Sequence, residues 1–231
     1  MKIFWIGGPA AAGKTTVGRL LARKHGFVWY SLDAHLFDYE KRAAAAGLHV
    51  LGTGPGDFDR KPMILEDVEA LGVRTPVVVE GAFVTPALAG VDGNAVWLMP
   101  SRAEQLTRLQ HRNPGADNEG FVWGWNLVNS QLEGTAATMI SVDGQTIPQT
   151  LAAVEAHFAG LIPARPSTAD RPSLIRLGNR QLAGRPGSQT FDCECGRPSC
   201  TDFVQLTSEQ SSTLLAVEPP SITSPQHSAP T

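Results

Sequence analysis

The chain has 231 residues and a mass of 24.6 kDa; 42% of its residues are hydrophobic and 18% are charged. This composition supports one ordinary globular core with a small appendage and excludes a chain that is disordered throughout. No apolar run approaches the length of a membrane span, and Gly7-Gly8-Pro9 ends the first run too early for a signal-peptide core. We therefore expect a cytoplasmic protein that makes no membrane contact.

The charge balance bears on nucleic-acid binding. The formal net charge is −3: residues 1–162 carry 13 basic and 16 acidic side chains, and residues 163–231 carry six of each. Proteins that bind extended nucleic acid need many cationic contacts to phosphates. The balance argues against a nucleic-acid partner.

Apolar segments of strand length alternate along the chain with amphipathic helical segments. Such alternation predicts a parallel sheet with helices on both faces. We therefore predict an α/β fold with five core strands. The strand segments are 2–6, 27–32, 77–79, 95–99 and 139–142, and the clearest helical segments are 14–24, 103–112, 119–132 and 148–161.

The composition changes near Ile162. Four prolines follow between positions 163 and 186, and a run rich in Pro, Ser and Thr begins at Pro219. Such stretches are typical of linkers and mobile ends. We predict a folded domain over 1–162, a linker with a small Cys-containing module over 163–216, and a flexible tail over 217–231.

A glycine-rich segment between the first strand and the first helix satisfies the P-loop pattern G-x-x-x-x-G-K-[ST]. Its glycines let backbone N–H groups approach phosphate oxygens, and the following helix directs the positive end of its dipole at them. Lys14 would reach the β- and γ-phosphates, and the Thr15 hydroxyl would bind Mg²⁺. The motif predicts that a nucleotide binds at Gly8, Pro9, Ala10, Ala11, Ala12, Gly13, Lys14, Thr15 and Thr16.

No Asn-Lys-x-Asp segment, by which GTPases read guanine, occurs in the chain. Over about residues 1–160 the chain instead resembles the small-molecule and nucleoside-monophosphate kinases of the P-loop class, and in particular a set of actinobacterial kinase-like proteins. This resemblance implies a P-loop NTPase fold and ATP-dependent transfer of the γ-phosphate to a hydroxyl of a small molecule. It rests on the P-loop and on Val77-Val78-Val79-Glu80-Gly81, Val96-Trp97-Leu98-Met99-Pro100 and Val142-Asp143-Gly144.

Asp33 follows the second strand segment. In kinases similar to this chain an acidic residue at this point faces the acceptor hydroxyl, where a carboxylate can orient the hydroxyl and accept its proton. We predict that role for Asp33. The alternative is an N-cap for a helix that begins at Ala34.

Glu80 ends the triple-valine strand at the carboxyl edge of the predicted sheet, where ligands of α/β proteins bind. We predict that Glu80 helps Thr15 to bind Mg²⁺. Two alternatives stay open: a contact with the neighbouring loop and, if Asp33 serves the metal, a contact with substrate.

Arg108 and Arg112 are four residues apart on the helix after the fourth strand, and Asn113-Pro114-Gly115 then breaks the chain. In kinases that this chain resembles, lid arginines neutralise charge on the transferred phosphoryl group. We predict this role for Arg108 and Arg112 in preference to Arg102. The alternative is a solvated basic face.

The segment 35–75 is expected to cover the acceptor site, although its mixed charges name no acceptor. Trp123 and Trp125 lie just beyond the predicted lid. They are expected to belong to the core, and the alternative is that they cover a ring-containing ligand.

Three cysteines form the pattern C-x-C-x4-C at Cys193, Cys195 and Cys200. This spacing does not make a secreted disulfide framework and indicates a local metal or redox cluster. Zinc prefers four ligands, so a fourth must come from another chain or from Asp192, Asp202 or His227. An inert segment is the remaining alternative.

The residues around these cysteines resemble a small module that recurs in actinobacterial proteins. The predicted function is that of a kinase with ATP and Mg²⁺ as cofactors, with Zn²⁺ at the cysteines as a further candidate. The alternative is a nucleotide-binding regulatory protein whose C-terminal module binds zinc or a protein partner.

Overall fold

The computed structural model describes residues 2–51, 58–71, 73–164 and 170–227. Five parallel strands form one sheet in the order β2-β3-β1-β4-β5. This confirms the predicted α/β fold with a five-stranded parallel sheet. The strands are β1 (Ile3–Gly7), β2 (Val28–Ser31), β3 (Val77–Glu80), β4 (Ala95–Met99) and β5 (Met139–Ser141).

Helices connect these strands and pack on both faces of the sheet. Within the described ranges, no helix has the length and hydrophobicity that crossing a membrane requires. The connecting helices are α1 (Lys14–His25), α2 (Leu32–Ala45), α3 (Lys61–Ala70), α4 (Pro86–Ala89), α5 (Arg102–Arg112), α6 (Glu119–Leu132) and α7 (Ile147–Phe158).

Two apolar clusters lie on opposite faces of the sheet because side chains alternate along each strand. In β1, Phe4 and Ile6 belong to one cluster and Trp5 belongs to the other. All four residues of β3 are buried, as expected of a strand covered on both faces. The triple valine thus sits next to the centre of the sheet, between β1 and β2.

The C-terminal module consists of α8 (Arg171–Arg180), an antiparallel pair formed by β6 (Ser188–Asp192) and β7 (Phe203–Thr207), and α9 (Ser208–Leu215). Its apolar side chains join the cluster that contains Phe4. The module from Arg171 to Leu215 therefore packs onto the sheet.

Residues 217–227, part of the segment that the sequence predicts to be a flexible tail, make contacts with the C-terminal module. Ile222 is only 1% exposed, and its carbonyl accepts the backbone N–H of Glu194 at 2.6 Å. The Glu194 carboxylate in turn accepts the N–H groups of Ser221 and Ile222. A buried carboxylate thus holds a segment whose composition alone resembles a mobile end. Residues 228–231 lie outside the described residues.

The module covers the open edge of the sheet at β2. Gln181 donates to the Trp29 carbonyl at 2.7 Å and accepts the Ser31 N–H at 2.9 Å, so one side chain satisfies backbone groups that a neighbouring strand would otherwise pair. Farther along, Arg185 donates to the carbonyl of Asp33 at 3.1 Å. The module therefore reaches the start of α2.

A buried ionic cluster joins the module to α1. Arg19 Nε donates to Asp192 Oδ2 at 2.8 Å, and Arg23 donates to Oδ1 of the same carboxylate. The rings of Trp29 and Phe203 lie against the Arg19 guanidinium. Asp192 is therefore used to hold β6 on α1, the helix that begins at Lys14.

Candidate active site

The loop between β1 and α1 wraps closely against β4. A Cβ at Gly8, whose φ is 131°, would lie 2.2 Å from the Leu98 carbonyl oxygen, so only glycine fits there. Ala11 adopts a left-handed φ of 62°, which costs an alanine about 1–2 kcal/mol. Strain of this kind is typical of ligand-binding loops.

Lys14 is held inside this loop. Its side chain is 5% exposed, and Nζ donates to the Pro9 carbonyl at 2.8 Å. The amino group therefore lies at the centre of the loop, close to the N-terminus of α1. A cleft of about 400 Å³ opens there, lined by Ala10, Ala11, Gly13, Lys14, Thr15, Thr16, Asp33, Arg108, Arg112 and Phe121.

Thr15 and Glu80 meet at the carboxyl end of the sheet. Thr15 Oγ1 donates to Glu80 Oε2 at 3.1 Å. Glu80 is fully buried, and its Oε1 has no hydrogen-bond partner among the described residues. Burial, reinforced by the negative charge of Asp33 and opposed by Lys14, raises the pKa of Glu80 to about 7. A hydroxyl and an unpaired carboxylate oxygen are hard ligands that suit Mg²⁺.

Asp33 lines the cleft from the first turn of α2. The N-cap of that helix is Ser31, which accepts the Ala34 N–H, so the alternative cap role for Asp33 is wrong. Asp33 Oδ1 instead accepts the N–H of Ala82 at 3.0 Å. A Cβ at Gly81 would lie 2.8 Å from the Leu32 Cβ, so that glycine allows the two loops to approach each other.

Arg108 lines the same cleft and is anchored by three hydrogen bonds. It donates to the Ala11 carbonyl at 3.3 Å, to the Val142 carbonyl at 2.8 Å and to Glu104 Oε1 at 2.7 Å. Arg112 lines the same cleft. The two predicted arginines thus lie near Lys14.

Arg102 lies apart from them. It lines a separate hollow with Asn118 and Trp123. Arg108 and Arg112, the two arginines predicted to contact the phosphoryl group, thus share a cleft that Arg102 does not line.

Gln105 is a candidate that the sequence analysis missed. It is fully buried, and its Nε2 donates to the carbonyls of Ala10 and Phe121 at 3.1 and 3.3 Å. It thereby ties the glycine-rich loop to α6. Gln105 lies three residues before Arg108 and therefore on the same face of α5. This spacing is the sequence signal from which Gln105 could have been predicted.

A second, larger cavity of about 860 Å³ is lined in part by the segment that follows β3. Phe83, which lines it, follows the residue whose N–H binds Asp33. The Arg60 guanidinium lies over the rings of Phe58 and Phe83, at 4.1 and 4.9 Å from their centroids. The other lining residues are Asp59, Lys61, Thr85, Ala87, Leu88, Trp123, Leu127 and Gln131.

Trp123 borders this cavity instead of filling the core. It is 63% exposed, so the prediction that it is a core residue is wrong. Trp125 is half-buried and donates its Nε1–H to the Pro100 carbonyl at 2.9 Å. Of the segment 35–75, residues 58–61 line the cavity; residues 52–57 and 72 lie outside the described residues.

The three cysteines converge with His227 in the C-terminal module. One ligand atom from each of the four residues lies within 4.8 Å of all the others. Of the two rival fourth ligands, Asp192 is bound by arginines and Asp202 accepts the Ser224 hydroxyl. The four clustered side chains could hold a metal ion.

No family model and no curated protein matches the sequence. Among solved structures, a gluconokinase from Sinorhizobium meliloti 1021 is 20% identical, with 70% of this chain and 93% of that chain covered and a TM-score of 0.50. A tunicamycin resistance protein from Deinococcus radiodurans is 21% identical, covering 71% and 99%, with a TM-score of 0.49. A shikimate kinase from Aquifex aeolicus vf5 is 16% identical, covering 69% and 97%, at 0.38. The first likeness shows that this chain shares the overall α/β fold of that structure over the covered residues.

Proposed function

We propose that the protein is an ATP-dependent kinase that transfers the γ-phosphate to a hydroxyl group of a small molecule. The observation that carries this proposal is the convergence of a P-loop lysine, a carboxylate and two arginines on one cleft. They are brought together from α1, α2 and α5 at the carboxyl edge of a parallel sheet, where ligands of such sheets bind.

The phosphate end of ATP would lie against residues 8–16, which form the glycine-rich loop and the first turn of α1. There the backbone N–H groups and the positive end of α1 attract anions. Lys14 Nζ would exchange the Pro9 carbonyl for phosphate oxygens. Because Lys14 is nearly excluded from water, its charge acts more strongly than it would at the surface.

Thr15 and Glu80 are the residues that would hold Mg²⁺. The ion, when bound, neutralises phosphate charge. The hydrogen bond between these side chains already places two potential oxygen ligands, Thr15 Oγ1 and Glu80 Oε2, side by side. Glu80 Oε1, which has no hydrogen-bond partner among the described residues, is a third.

Asp33 would act on the acceptor hydroxyl. The N–H of Ala82 holds its carboxylate in orientation at the cleft. As the acceptor oxygen forms its bond to the γ-phosphorus, the bond from that phosphorus to the bridging β–γ oxygen breaks, ADP leaves, and Asp33 accepts the hydroxyl proton. Arg108 and Arg112 would stabilise the charge on the phosphoryl group during transfer.

The 860 Å³ cavity is our candidate for the acceptor site. Its volume lies within the range of small-molecule sites, and its lining combines aromatic rings with charged side chains. Such a lining suits an acceptor that has both an apolar face and polar groups.

The rival function is a nucleotide-binding regulatory protein with no acceptor. The observation in its favour is that the C-terminal module bonds both to α1 and to the backbone of Asp33. A change in the nucleotide site could thereby reach the module.

The test uses ATP labelled at the γ-phosphate, Mg²⁺ and fractionated small-molecule extract of the source cells. The expected result is a new labelled metabolite with the wild-type protein and with Lys41→Ala, whose lysine is 71% exposed on α2. Lys14→Ala should yield none. Label released only as free phosphate, whatever fraction is added, would overturn the kinase proposal and favour the regulatory one.

A further inference from the structure

The Cys193, Cys195, Cys200 and His227 cluster has the dimensions of a tetrahedral zinc site. With Zn–S bonds of about 2.3 Å and Zn–N bonds of about 2.0–2.1 Å, tetrahedral geometry puts sulfur and nitrogen about 3.6 Å apart. His227 Nδ1 lies 3.4 Å from Cys193 Sγ and 3.5 Å from Cys200 Sγ. An ion therefore fits between these side chains after only small movements.

We propose that these four residues bind one Zn²⁺, and that the ion fastens the C-terminal module to helix α1. The proposal goes beyond the proposed kinase function and does not depend on it. Thiolate and imidazole ligands are the set that zinc selects in closed structural sites, and Cys₃His is one of the usual combinations.

A disulfide explains the cluster less well than a metal does. It would use two of the three sulfurs and would not explain why the third thiol and the imidazole lie beside them. Cys193 and Cys200 are both buried, and all three cysteines are free thiols. A shared ion accounts for all four side chains together.

Neighbouring groups are arranged to support thiolates. The backbone N–H of Ser224 points at Cys193 Sγ at 3.4 Å, and Arg23 Nη1 lies 3.5 Å from Cys200 Sγ. Three thiolates and one Zn²⁺ carry a formal charge of −1, which the Arg23 guanidinium opposes at short range. Such outer contacts orient ligands and strengthen metal binding.

The same arginine connects the site to the main sheet. Arg23 also donates to the carbonyls of Cys200 and Asp202 at 3.0 and 2.9 Å, and it pairs with Asp192. His227 belongs to the segment that the sequence predicts to be flexible. The ion would therefore join that segment, the cysteine loop and α1.

The first experiment measures metal content in the full-length protein, reduced and purified without chelator. We expect one zinc per chain. Replacement by Co²⁺ should give the intense visible bands of a tetrahedral thiolate site. A reduced, folded protein that retains less than about 0.1 equivalent of zinc in zinc-containing buffer and shows no cobalt bands would overturn the proposal.

Variants of His227 identify the fourth ligand. Loss of outer contacts alone weakens metal sites about 10–100-fold, so we expect His227→Ala to weaken zinc binding at least 100-fold. His227→Cys should retain one zinc, because a Cys₄ set also binds it. His111→Ala, at an exposed histidine on α5, is the control. Equal zinc affinity in His227→Ala and wild type would show that His227 is not a ligand.

Thermal unfolding tests the fastening role without any kinase assay. Since zinc would bind the folded chain only, a hundredfold excess over Kd should raise Tm by about 5–10 °C relative to the chelated protein. The same zinc concentration should raise the Tm of His227→Ala by no more than about 2 °C, because a site at least 100-fold weaker is then at most half-occupied. One bound zinc with no shift in Tm would overturn the fastening role while leaving the site itself in place.

Discussion

The Thr15 hydroxyl donates to the buried Glu80 carboxylate across the end of the sheet, although the two residues are 65 positions apart in the chain. The contact arises because β1 and β3 are neighbouring parallel strands, with Ile6 opposite Glu80. Parallel pairing brings Thr15, in the first turn of α1, next to Glu80, the last residue of β3. This pair is the part of the cleft best suited to a divalent cation.

Glu80→Gln should leave the fold intact and impair the proposed Mg²⁺-dependent phosphoryl transfer. The amide keeps the volume of Glu80 and its carbonyl can accept the Thr15 hydrogen bond, but it brings no charge to the cation. We expect kcat to fall on the order of 10²-fold, with Tm equal to or above that of wild type. Steady-state kinetics over a range of Mg²⁺ concentrations and thermal unfolding measure both effects. Wild-type kcat in Glu80→Gln would remove the residue from the metal site.

Asp33→Asn should separate catalysis from binding. Asparagine can still accept the Ala82 N–H, so the loop keeps its position, but it cannot accept the acceptor proton. We expect kcat to fall about 10²–10⁴-fold while the Kd for ATP changes less than about twofold. Turnover and ATP titration on the same samples give the comparison. A kcat within tenfold of wild type would count against Asp33 as the base.

Trp123→Ala should weaken acceptor binding alone. Trp123 is exposed at the rim of the large cavity, so its removal leaves no core void. Loss of one aromatic contact, worth about 0.5–1.5 kcal/mol, predicts a rise in acceptor KM of up to about tenfold with unchanged ATP KM. Phe37→Ala is the control, because Phe37 is 72% exposed and lines none of the described cavities. Equal acceptor KM in the Trp123 and Phe37 variants would place the acceptor elsewhere.

Asp192→Asn should destabilise the whole chain. The substitution leaves the buried guanidinium groups of Arg19 and Arg23 without their carboxylate, and breaking a buried pair in this way costs about 3–5 kcal/mol. Urea unfolding measures the loss. Glu66→Gln is the matched control: it removes an exposed partner of Arg42 and should cost less than about 1 kcal/mol. Similar losses in the two variants would mean that the buried cluster contributes no more than a surface pair.

His35 should make the folded state less stable in acid. Burial lowers the pKa of His35, which stacks on Tyr30 at 4.6 Å, and Arg185 adds to the effect while Gln181, Asp67 and Asp38 oppose it. Because the folded pKa lies below the unfolded value of about 6.5, the unfolded chain binds the proton more readily. This histidine's contribution to the free energy of unfolding therefore falls as pH drops below 6.5.

Comparison with His35→Gln isolates that effect. The difference in unfolding free energy between wild type and His35→Gln should shrink from pH 7.5 to pH 5.5. Phe37→Ala, at an exposed position on the same helix, removes no titratable group and should show no such trend. A difference that grows toward acid pH would contradict the assigned direction.

Local sequence patterns are sufficient to predict much of the fold and part of the candidate site. The P-loop is contiguous, so the grouping of Lys14 and Thr15 needs no knowledge of distant residues. The five strands follow from short apolar runs, and burial of β3 on both faces follows from its three valines. The helical spacing of Arg108 and Arg112 placed both on the face that lines the cleft.

Long-range contacts decided the rest. Gln105 anchors the glycine-rich loop, Trp123 is exposed beside a cavity, and Ile222 is buried. Each of these facts depends on which parts of the folded chain come into contact. The composition around Pro219 predicts a mobile tail. In the folded chain, however, the Glu194 carboxylate accepts two backbone N–H groups of that segment, and composition contains no information about such a contact.

The sequence by itself determined the fold class, the position of the glycine-rich loop between β1 and α1 and a short list of ionisable side chains, because each depends on local periodicity or on contiguous residues. Only the tertiary structure decided that Glu80 meets Thr15, that the module covers the edge of β2, and that His227 joins the three cysteines. The physical reason is that these relationships depend on the order of strands in the sheet and on the docking of distant segments. Hydrophobic burial and buried ion pairs spread over the whole chain set both of these.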